Sequence, residues 1–223
     1  MGRKCVCGGK MIVSFDLDGT LVSSEYVDAV WLEKIPQLYA EKENMPYEEA
    51  RRYVEREYLK VGPEALEWYD IVYWIKKFDL KASWKDILMS CVDKLKLYPE
   101  VREVLERLSK RNMLIITSNA SNEFIQIEVE FLGIKKYFSR IFSVVSDFGK
   151  TKKGEEAYEK ICKELDAEKD KIIHIGDNYE FDYIAPIKAG IKAFYLDRKG
   201  NMNGNHVVKD LREFEEKINS LKK

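Results

Sequence analysis

The sequence predicts an α/β fold in which a parallel β-sheet is covered by helices on both faces and carries an inserted all-helical segment. Three observations predict it. Residues 98–223 alternate short apolar runs with amphipathic helical patterns, which is typical of parallel strands joined by helices. Residues 11–15 form another apolar run with the character of a buried strand. Residues 22–97 show helical spacing only, so we expect them to interrupt the sheet domain.

The composition is that of a globular protein with a strongly ionic surface. Its 223 residues are 45% hydrophobic and 35% charged, enough for one large domain or a domain with an insertion. Lys and Arg total 38 and Asp and Glu total 39, so a net charge of −1 gives no overall attraction to nucleic acid or acidic membranes. No stretch approaches the roughly 20 apolar residues of a membrane helix. We therefore expect a cytoplasmic protein with no nucleic-acid or membrane partner, and the sequence leaves its oligomeric state open.

The cysteines do not indicate a metal site. Cys5 and Cys7 form a C-x-C within residues 1–10, a Gly- and Lys-rich stretch that we expect to be a flexible extension. No second pair with metal-ligand spacing follows. Cys91 and Cys162 fall in helical patterns, where buried thiols are common. This use of cysteine suits a reducing compartment.

Four helices are predicted in the insertion, because apolar residues recur at helical spacing. Pro36 marks a break or kink in the first helix, and Pro46 suits the first turn of the second. Ser83 and Asp86 resemble a capping box at the start of the fourth. The predicted helices span residues 23–43, 46–61, 63–78 and 83–97.

The remaining elements belong to the sheet domain. Each predicted strand is a nearly continuous apolar run, which is typical of a strand buried on both faces. Gly133 ends one helix and Pro186 disturbs another. The predicted strands are residues 11–15, 113–117, 140–145, 171–177 and 192–197. The predicted helices are residues 99–111, 122–133, 155–165, 182–190 and 210–221, with a loop at 200–205.

Two aspartates directly follow the first predicted strand. Asp16 and Asp18 lie at positions i and i+2, so their carboxylates would repel each other. Burial and like charge both raise carboxylate pKa values, and such a pair needs a cation, most simply a divalent metal, to stay ionised. Gly19 allows an unusual backbone turn where a ligand would approach. Taken alone, the same segment also fits an ordinary surface turn.

Polar side chains follow the other predicted strands as well. Ligands of open parallel sheets bind beyond the carboxyl ends of the strands. Each residue alone is a weak signal, because a hydroxyl after a strand is commonly a helix N-cap and lysines usually lie on the surface. Together, carboxylates, a hydroxyl and an ammonium at one sheet edge would anchor a metal and a phosphoryl group. The candidates are Asp16, Asp18, Thr117, Ser118, Asn119, Ser146, Asp147, Lys150, Lys152, Lys153, Asp177 and Asp182.

These segments resemble, in order, the four motifs of haloacid dehalogenase-like superfamily hydrolases. FDLDGT at 15–20 resembles the first motif, LIITSN at 114–119 the second, Lys152 in GKTKKGEEAY the third, and GDNYEFD at 176–182 the fourth. The resemblance implies a Rossmann-like core and an aspartyl nucleophile. It also implies a division into a core of residues 11–21 and 98–223 and a helical cap of residues 22–97. This cap resembles that of the phosphoglycolate phosphatase and β-phosphoglucomutase branch.

The resemblance also implies a role for each motif residue. Asp16 would attack phosphorus, and Asp18 would protonate the leaving alkoxide and then activate water. Mg²⁺ would be bound by Asp16, the backbone carbonyl of Asp18, and Asp177. Gly19 and Thr20 would support this loop.

The remaining motif residues would act on the phosphoryl group. Ser118 and the backbone N–H of Asn119 would bind its oxygens, and Lys152 would neutralise charge on it and on the nucleophile. Asp182 would orient that lysine or a metal-bound water. Lys150 and Lys153 remain alternatives for the lysine, because the proline that often follows it in the family is replaced by Lys153.

The expected activity is Mg²⁺-dependent hydrolysis of a small phosphorylated metabolite through an aspartyl-phosphate. A phosphomutase and a phosphonate hydrolase are alternatives on the same fold. A 2-haloacid dehalogenase is disfavoured because true dehalogenases lack the acid at Asp18, and a non-catalytic binding protein is disfavoured because the motif residues are intact. The four tryptophans of the cap would form its own core or, in one or two cases, face the cleft and select a leaving group; they are Trp31, Trp68, Trp74 and Trp84.

Overall fold

The computed structural model describes residues 10–221 of the chain. Its centre is a sheet of six parallel strands in the order β3-β2-β1-β4-β5-β6. The predicted extension, apart from Lys10, lies outside the described residues, and so do Cys5 and Cys7. The strands are β1 (Ile12–Phe15), β2 (Met113–Ser118), β3 (Arg140–Ser143), β4 (Ile172–Gly176), β5 (Lys192–Leu196) and β6 (Val207–Val208).

Helices connect these strands and cover the sheet. Two of them begin with a side-chain cap; Asp210, for example, accepts a hydrogen bond from the backbone N–H of Glu213 at the start of the last helix. The helices are α6 (Val101–Ser109), α7 (Asn122–Phe131), α8 (Val144–Phe148), α9 (Glu155–Leu165), α10 (Ala185–Lys188) and α11 (Leu211–Ser220). Shorter 3-10 segments lie at Lys135–Tyr137 and Lys169–Lys171, and a π-helical turn at Tyr179–Ile184 precedes α10.

The two faces of the sheet are both buried, which confirms the predicted Rossmann-like α/β architecture. Along β1, Ile12 packs on one face with Phe142 and Tyr158, whereas Phe15 packs on the other with Phe214. Fully burying a side chain of the size of Phe15 stabilises the fold by about 1.5–3 kcal/mol. Polar residues are thereby excluded from most of the sheet, and Ser14 is a buried exception.

Two details of the sheet differ from the prediction. Val144 and Val145, expected to extend a strand, begin α8, because Ser143 accepts a hydrogen bond from the backbone N–H of Ser146 at 2.9 Å and so caps a helix there. Strand β6 was not predicted, because two residues are too few to show a periodic pattern.

The insertion between β1 and β2 contains helices and no strand among its described elements, as predicted. The first predicted helix is continuous but has a π-helical turn at Ala29–Lys34, just before Pro36. The third is divided, because Asp70 accepts hydrogen bonds from the N–H groups of Val72 and Tyr73 and starts a new helix. Its elements are α1 (Glu25–Asp28), α2 (Ile35–Glu43), α3 (Tyr47–Val61), a 3-10 turn (Leu66–Tyr69), α4 (Ile71–Lys77), α5 (Trp84–Met89) and a 3-10 turn (Val92–Lys94).

The chain leaves and re-enters the sheet domain at one place. The backbone N–H of Ser23 donates to the carbonyl of Lys96 at 3.0 Å, and that of Tyr98 donates to the carbonyl of Leu21 at 3.1 Å. The two chain segments that link the insertion to the sheet domain therefore run side by side. Residues 22–97 as a separate cap domain remain a prediction. No helix among residues 10–221 has the length and apolar character needed to span a membrane.

Candidate active site

Three neighbouring strands deliver the site residues to one edge of the sheet. Phe15 of β1 lies opposite Ile116 of β2 and Ile175 of β4, so these strands end close to the same level. Asp16 continues the pairing by donating its backbone N–H to the carbonyl of Ile175 at 2.9 Å. The residues that follow the strands, including Asp16, Ser118 and Asp177, therefore meet at this edge.

The lysine beside Asp16 is Lys153 and not Lys152. The Lys153 side chain is buried, with its ammonium in contact with the Asp16 carboxylate and 2.6 Å from Oδ1 of Asp182. Lys152 instead lies at the surface and pairs with Glu64 of the insertion. The prediction that Lys152 would lie beside the nucleophile is thus wrong, because Lys153 takes that place.

A turn before α9 explains which lysine turns inward. The backbone N–H of Gly154 donates to the carbonyl of Lys152 at 2.8 Å, and α9 begins at the next residue. This turn separates the two adjacent side chains. The spacing of apolar residues does not show this turn, so the sequence offered no signal for choosing between the two lysines.

Gly19 and Thr20 hold Asp177 against Asp16. Gly19 has a φ of +80°, and a Cβ at this position would overlap the Asp177 carboxylate. The Thr20 hydroxyl lies 3.3 Å from Oδ2 of Asp16 and 3.4 Å from Oδ1 of Asp177 and can donate to either. Only glycine therefore lets the two carboxylates approach, and this places the predicted supporting residues at the site.

The donor set at this edge fits a hard divalent cation. Carboxylate oxygens of Asp16, Asp177 and Asp182 lie within 4.8 Å of one another. Burial raises the pKa of Asp16 well above its usual value, and the charges of Asp182 and Asp177 add to this effect while Lys153 opposes it. Burial and Asp182 also raise the pKa of Asp177. Both shifts show that the ionised carboxylates are disfavoured where they stand, so a bound cation would stabilise them. All-oxygen donors of this kind suit Mg²⁺.

Asp182 is already engaged by the protein. Its Oδ1 contacts Lys153 and His174, and its Oδ2 accepts from the backbone N–H of Asn178 at 3.0 Å. Although burial alone would raise it, Lys153 and His174 hold the pKa of Asp182 at about 2. Burial would lower the pKa of Lys153, but the carboxylates of Asp16 and Asp182 raise it. Asp16 and Asp177 are therefore better placed than Asp182 to bind a cation.

Asp18 lies next to the nucleophile candidate but faces a cavity. Burial and the nearby Asp177 raise its pKa to about 7, and its Oδ1 has no hydrogen-bond partner among the described residues. A carboxyl group of this pKa can hold a proton near neutral pH and release it, which is the requirement for a general acid and base.

Ser118 and Asn119 lie at the end of β2. Ser118 is buried, and its hydroxyl accepts the backbone N–H of Ala120 at 3.0 Å. Asn119 lines the same cavity as Asp18, and its side-chain oxygen has no partner among the described residues. The structure thus brings both predicted substrate-binding residues to the site.

A buried polar network below the site was not predicted. His174 of β4 lies opposite Ser14 of β1, with Nδ1 2.8 Å from the Ser14 hydroxyl and Nε2 3.0 Å from Oδ1 of Asp182. The Ser14 hydroxyl is also 3.0 Å from that of Thr117. The available signal was the presence of single polar residues inside two otherwise apolar strands.

Glu128 of α7 was also missed. It is fully buried, and neither carboxylate oxygen has a partner among the described residues. Burial, with contributions from Asp18 and Asp16, raises its pKa well above the usual value. Its position inside an apolar helical pattern concealed it, because it resembled the exposed glutamates nearby.

A cavity of about 550 Å³ joins this edge of the sheet to the insertion. Trp31 and Trp68 line it together with Asp18 and Asn119, whereas Trp74 is fully buried in the core. The cavity therefore has aromatic walls from the insertion and a polar end at the aspartates. Its volume is within the range of sites for small organic molecules.

Known proteins resemble the chain in sequence. The profile of the haloacid dehalogenase-like hydrolases matches residues 10–190. The GMP/IMP nucleotidase YrfG of Escherichia coli is 21% identical over 168 residues, which cover 74% of this chain and 73% of that protein. YrfG of Shigella flexneri matches equally.

Solved structures share the fold. The HAD phosphatase from Thermococcus onnurineus superposes with a TM-score of 0.80 at 22% identity and covers 93% of this chain and 97% of that one. The HAD-hydrolase YfnB from Bacillus subtilis, bound to magnesium, gives 0.67 at 17% identity, with coverages of 94% and 99%. L-2-haloacid dehalogenase from Xanthobacter autotrophicus gives 0.63 at 15% identity, with coverages of 95% and 99%. With a family profile that spans residues 10–190, this chain belongs to the haloacid dehalogenase-like hydrolases.

Proposed function

We propose that the protein is a Mg²⁺-dependent phosphatase that hydrolyses a small phosphomonoester through an aspartyl-phosphate on Asp16. The observation that carries this proposal is the pairing of Asp16, fixed by Lys153, with Asp18, whose pKa of about 7 suits proton transfer at neutral pH. A haloacid dehalogenase would need the carboxylate of Asp16 but not that of Asp18.

The two aspartates would divide the reaction. In the first step, a carboxylate oxygen of Asp16 forms a bond to phosphorus, the bond from phosphorus to the leaving oxygen breaks, and the Asp18 carboxyl gives its proton to that oxygen. In the second step, Asp18, now a carboxylate, takes a proton from water. The water oxygen bonds to phosphorus and releases the Asp16 carboxylate, which restores the starting state.

The surrounding residues would bind and neutralise the phosphoryl group. Ser118 and the backbone N–H of Asn119 donate to its oxygens, and Lys153 offsets negative charge on it and on Asp16. Asp182 would hold Lys153 in place. Mg²⁺, bound by Asp16, Asp177 and the backbone carbonyl of Asp18, would supply positive charge beside the phosphoryl oxygens.

The similar proteins favour a phosphomonoester over other substrates. YrfG acts on GMP and IMP, and one of the structural neighbours is a phosphatase. Dehalogenases share the fold as well, so the second candidate is a 2-haloacid dehalogenase. We expect residues 22–97 to act as the cap of the site, and a small phosphorylated metabolite of the cytoplasm to be the substrate.

Turnover of 4-nitrophenyl phosphate and of 2-chloropropionate would test the proposal. We expect Mg²⁺-dependent release of nitrophenol, its loss with EDTA and its recovery with added Mg²⁺, and no chloride release. Asp16→Asn should lower kcat to background, because an amide does not attack phosphorus. Chloride release without phosphate ester hydrolysis would favour the dehalogenase, and turnover of neither would favour a binding protein.

A further inference from the structure

We propose that the cavity selects an alcohol leaving group with an aromatic body and no second anionic group, and that Asp28 is a specificity-determining residue that rejects anionic leaving groups. This inference rests on the proposed phosphatase function. It concerns the part of the substrate beyond the phosphoryl group, which the aspartates at the sheet edge do not contact.

The walls of the cavity suit a flat apolar body. Trp31 stacks on Phe124 with ring centroids 5.3 Å apart and an angle of 24° between planes, and Tyr58 meets Trp31 edge-on at 6.0 Å. Trp68 packs against Tyr58 at 6.3 Å. Because these rings are held by one another, they form a wall that exists before a ligand enters. Aromatic rings of a ligand gain from offset or edge-on contact with such a wall.

The charge of the cavity is of one sign. Of the described residues, no lysine or arginine lines it, whereas Asp18, Asp28 and Glu55 do. Two cations beside these walls are already paired with carboxylates, since Arg51 lies 3.6 Å from Glu55 and Lys152 pairs with Glu64. A leaving group that carried a carboxylate or a second phosphate would find no counter-charge on these walls.

Asp28 differs from Glu55, the other acidic residue that the insertion contributes to the cavity, in its lack of an ion-pair partner among the described residues. It lies on α1 at the cavity and forms no ion pair with residues 10–221, whereas Glu55 is partly offset by Arg51. It is also near enough to Asp18 to add to the effect of burial on that carboxyl group. A carboxylate here accepts hydrogen bonds from hydroxyl or N–H groups and repels anions.

Two side-chain oxygens that line the cavity have no hydrogen-bond partner among the described residues. The hydroxyl of Ser121, a residue only 4% exposed, has no partner among the described residues, and neither does the side-chain oxygen of Asn119. Both residues line the cavity. Because buried polar atoms are normally hydrogen-bonded, these two are available to hydroxyl groups of a ligand. The nucleoside of a nucleoside 5′-monophosphate is an alcohol with this combination of an aromatic body, hydroxyl groups and no charge.

The aromatic requirement is tested with substrates that share their leaving oxygen. A nucleoside 5′-monophosphate and ribose 5-phosphate differ by the base and not by the alkoxide that leaves. We expect kcat/KM for the best of the four common nucleoside 5′-monophosphates to exceed that for ribose 5-phosphate by about tenfold or more, the effect expected of one or two aromatic contacts. Equal values would overturn this part of the proposal.

The charge requirement is tested with an isosteric pair. The substrates 4-carbamoylphenyl phosphate and 4-carboxyphenyl phosphate have nearly the same shape, but only the second carries an extra negative charge. We expect kcat/KM to favour the carbamoyl compound by about tenfold in the wild type, from repulsion at a partly solvated site. Asp28→Asn should reduce this ratio at least about threefold, and Glu33→Gln, an exposed carboxylate of the same helical run that does not line the cavity, should leave it unchanged.

The outcomes separate the inference from the function on which it rests. Turnover of both aryl phosphates with a ratio near one, or a ratio that Asp28→Asn does not change, would overturn the role of Asp28 and leave the phosphatase function intact. Absence of turnover with every phosphate ester would overturn both. The ratio for the wild type needs no variant, so the proposal can be overturned even if Asp28→Asn does not fold.

Discussion

Two adjacent lysines have opposite surroundings, and this makes them a matched pair of variants. Lys153 contacts the Asp16 and Asp182 carboxylates in the interior, whereas Lys152 pairs with Glu64 at the surface. We expect Lys153→Ala to lower kcat for an aryl phosphate by about 10²–10³-fold, as for loss of one preorganised electrostatic contact. Lys152→Ala should stay within about threefold of the wild type, because exposed ion pairs contribute little. Comparable losses in the two variants would show that the lysine assignment is wrong.

Gly19 provides a second residue-scale prediction. A methyl group at this position would overlap the Asp177 carboxylate, so Gly19→Ala should displace Asp177 and weaken Mg²⁺ binding by about tenfold or more, as for disturbed metal-site geometry. Gly149→Ala is the control, because Gly149 also has a positive φ, of +61°, but nothing lies within 4 Å of a Cβ there. Titration calorimetry with Mg²⁺ measures both variants. Similar affinities in the two would mean that backbone strain, and not the clash, governs the effect.

Single residues were predictable where local pattern determines their position. Asp16, Asp18 and Asp177 follow apolar strands, so their location at one sheet edge follows from the parallel topology. The choice between Lys152 and Lys153 depends on the turn at Gly154, which the spacing of apolar residues does not reveal. The catalytic roles of these residues remain predictions.

At the scale of elements, long periodic segments were predictable and short ones were not. The predicted helix at residues 122–133 corresponds to α7, which has several buried apolar residues. The predicted helix at residues 63–78 contains a break at Asp70, because a side-chain cap outweighs a weak helical pattern. Strand β6 exists through its pairing with β5, which is a tertiary contact that two residues cannot signal locally.

His174 connects elements and therefore bears on stability. Its ring bridges Ser14 of β1 and Asp182 of the π-helical turn after β4, inside a fully buried environment. We expect His174→Leu to lower the free energy of unfolding by about 2–4 kcal/mol, because Ser14 and Asp182 each lose a buried partner. His174→Gln should recover part of this loss, since its amide can donate to Asp182. Urea unfolding followed by circular dichroism measures both; equal stability of the leucine variant and the wild type would contradict the role of the bridge.

At the scale of the whole molecule, the insertion and the sheet domain line one cavity. The Trp31–Phe124 stack joins the insertion to α7, and the Lys152–Glu64 pair joins it to the loop after α8. The position of the helical insertion was predictable, because residues 22–97 show helical spacing only and lie between the segments of β1 and β2. Which aromatic side chains face the cavity was not, because helical periodicity does not distinguish a core face from a cleft face in a segment that packs on both sides.

This composite wall gives a prediction that separates leaving-group binding from phosphoryl binding. Trp31→Ala should raise KM for an aryl phosphate by about five- to tenfold, because it removes an aromatic surface of the cavity. The inhibition constant of inorganic phosphate should remain within about twofold, because phosphate has no aromatic body and would bind at the sheet edge. Trp84→Ala is the matched control, since Trp84 lies on α5 and does not line the cavity. A parallel rise of KM and of the phosphate inhibition constant in Trp31→Ala would instead indicate that the substitution disturbs the sheet edge, and the insertion would then support the site without contacting the leaving group.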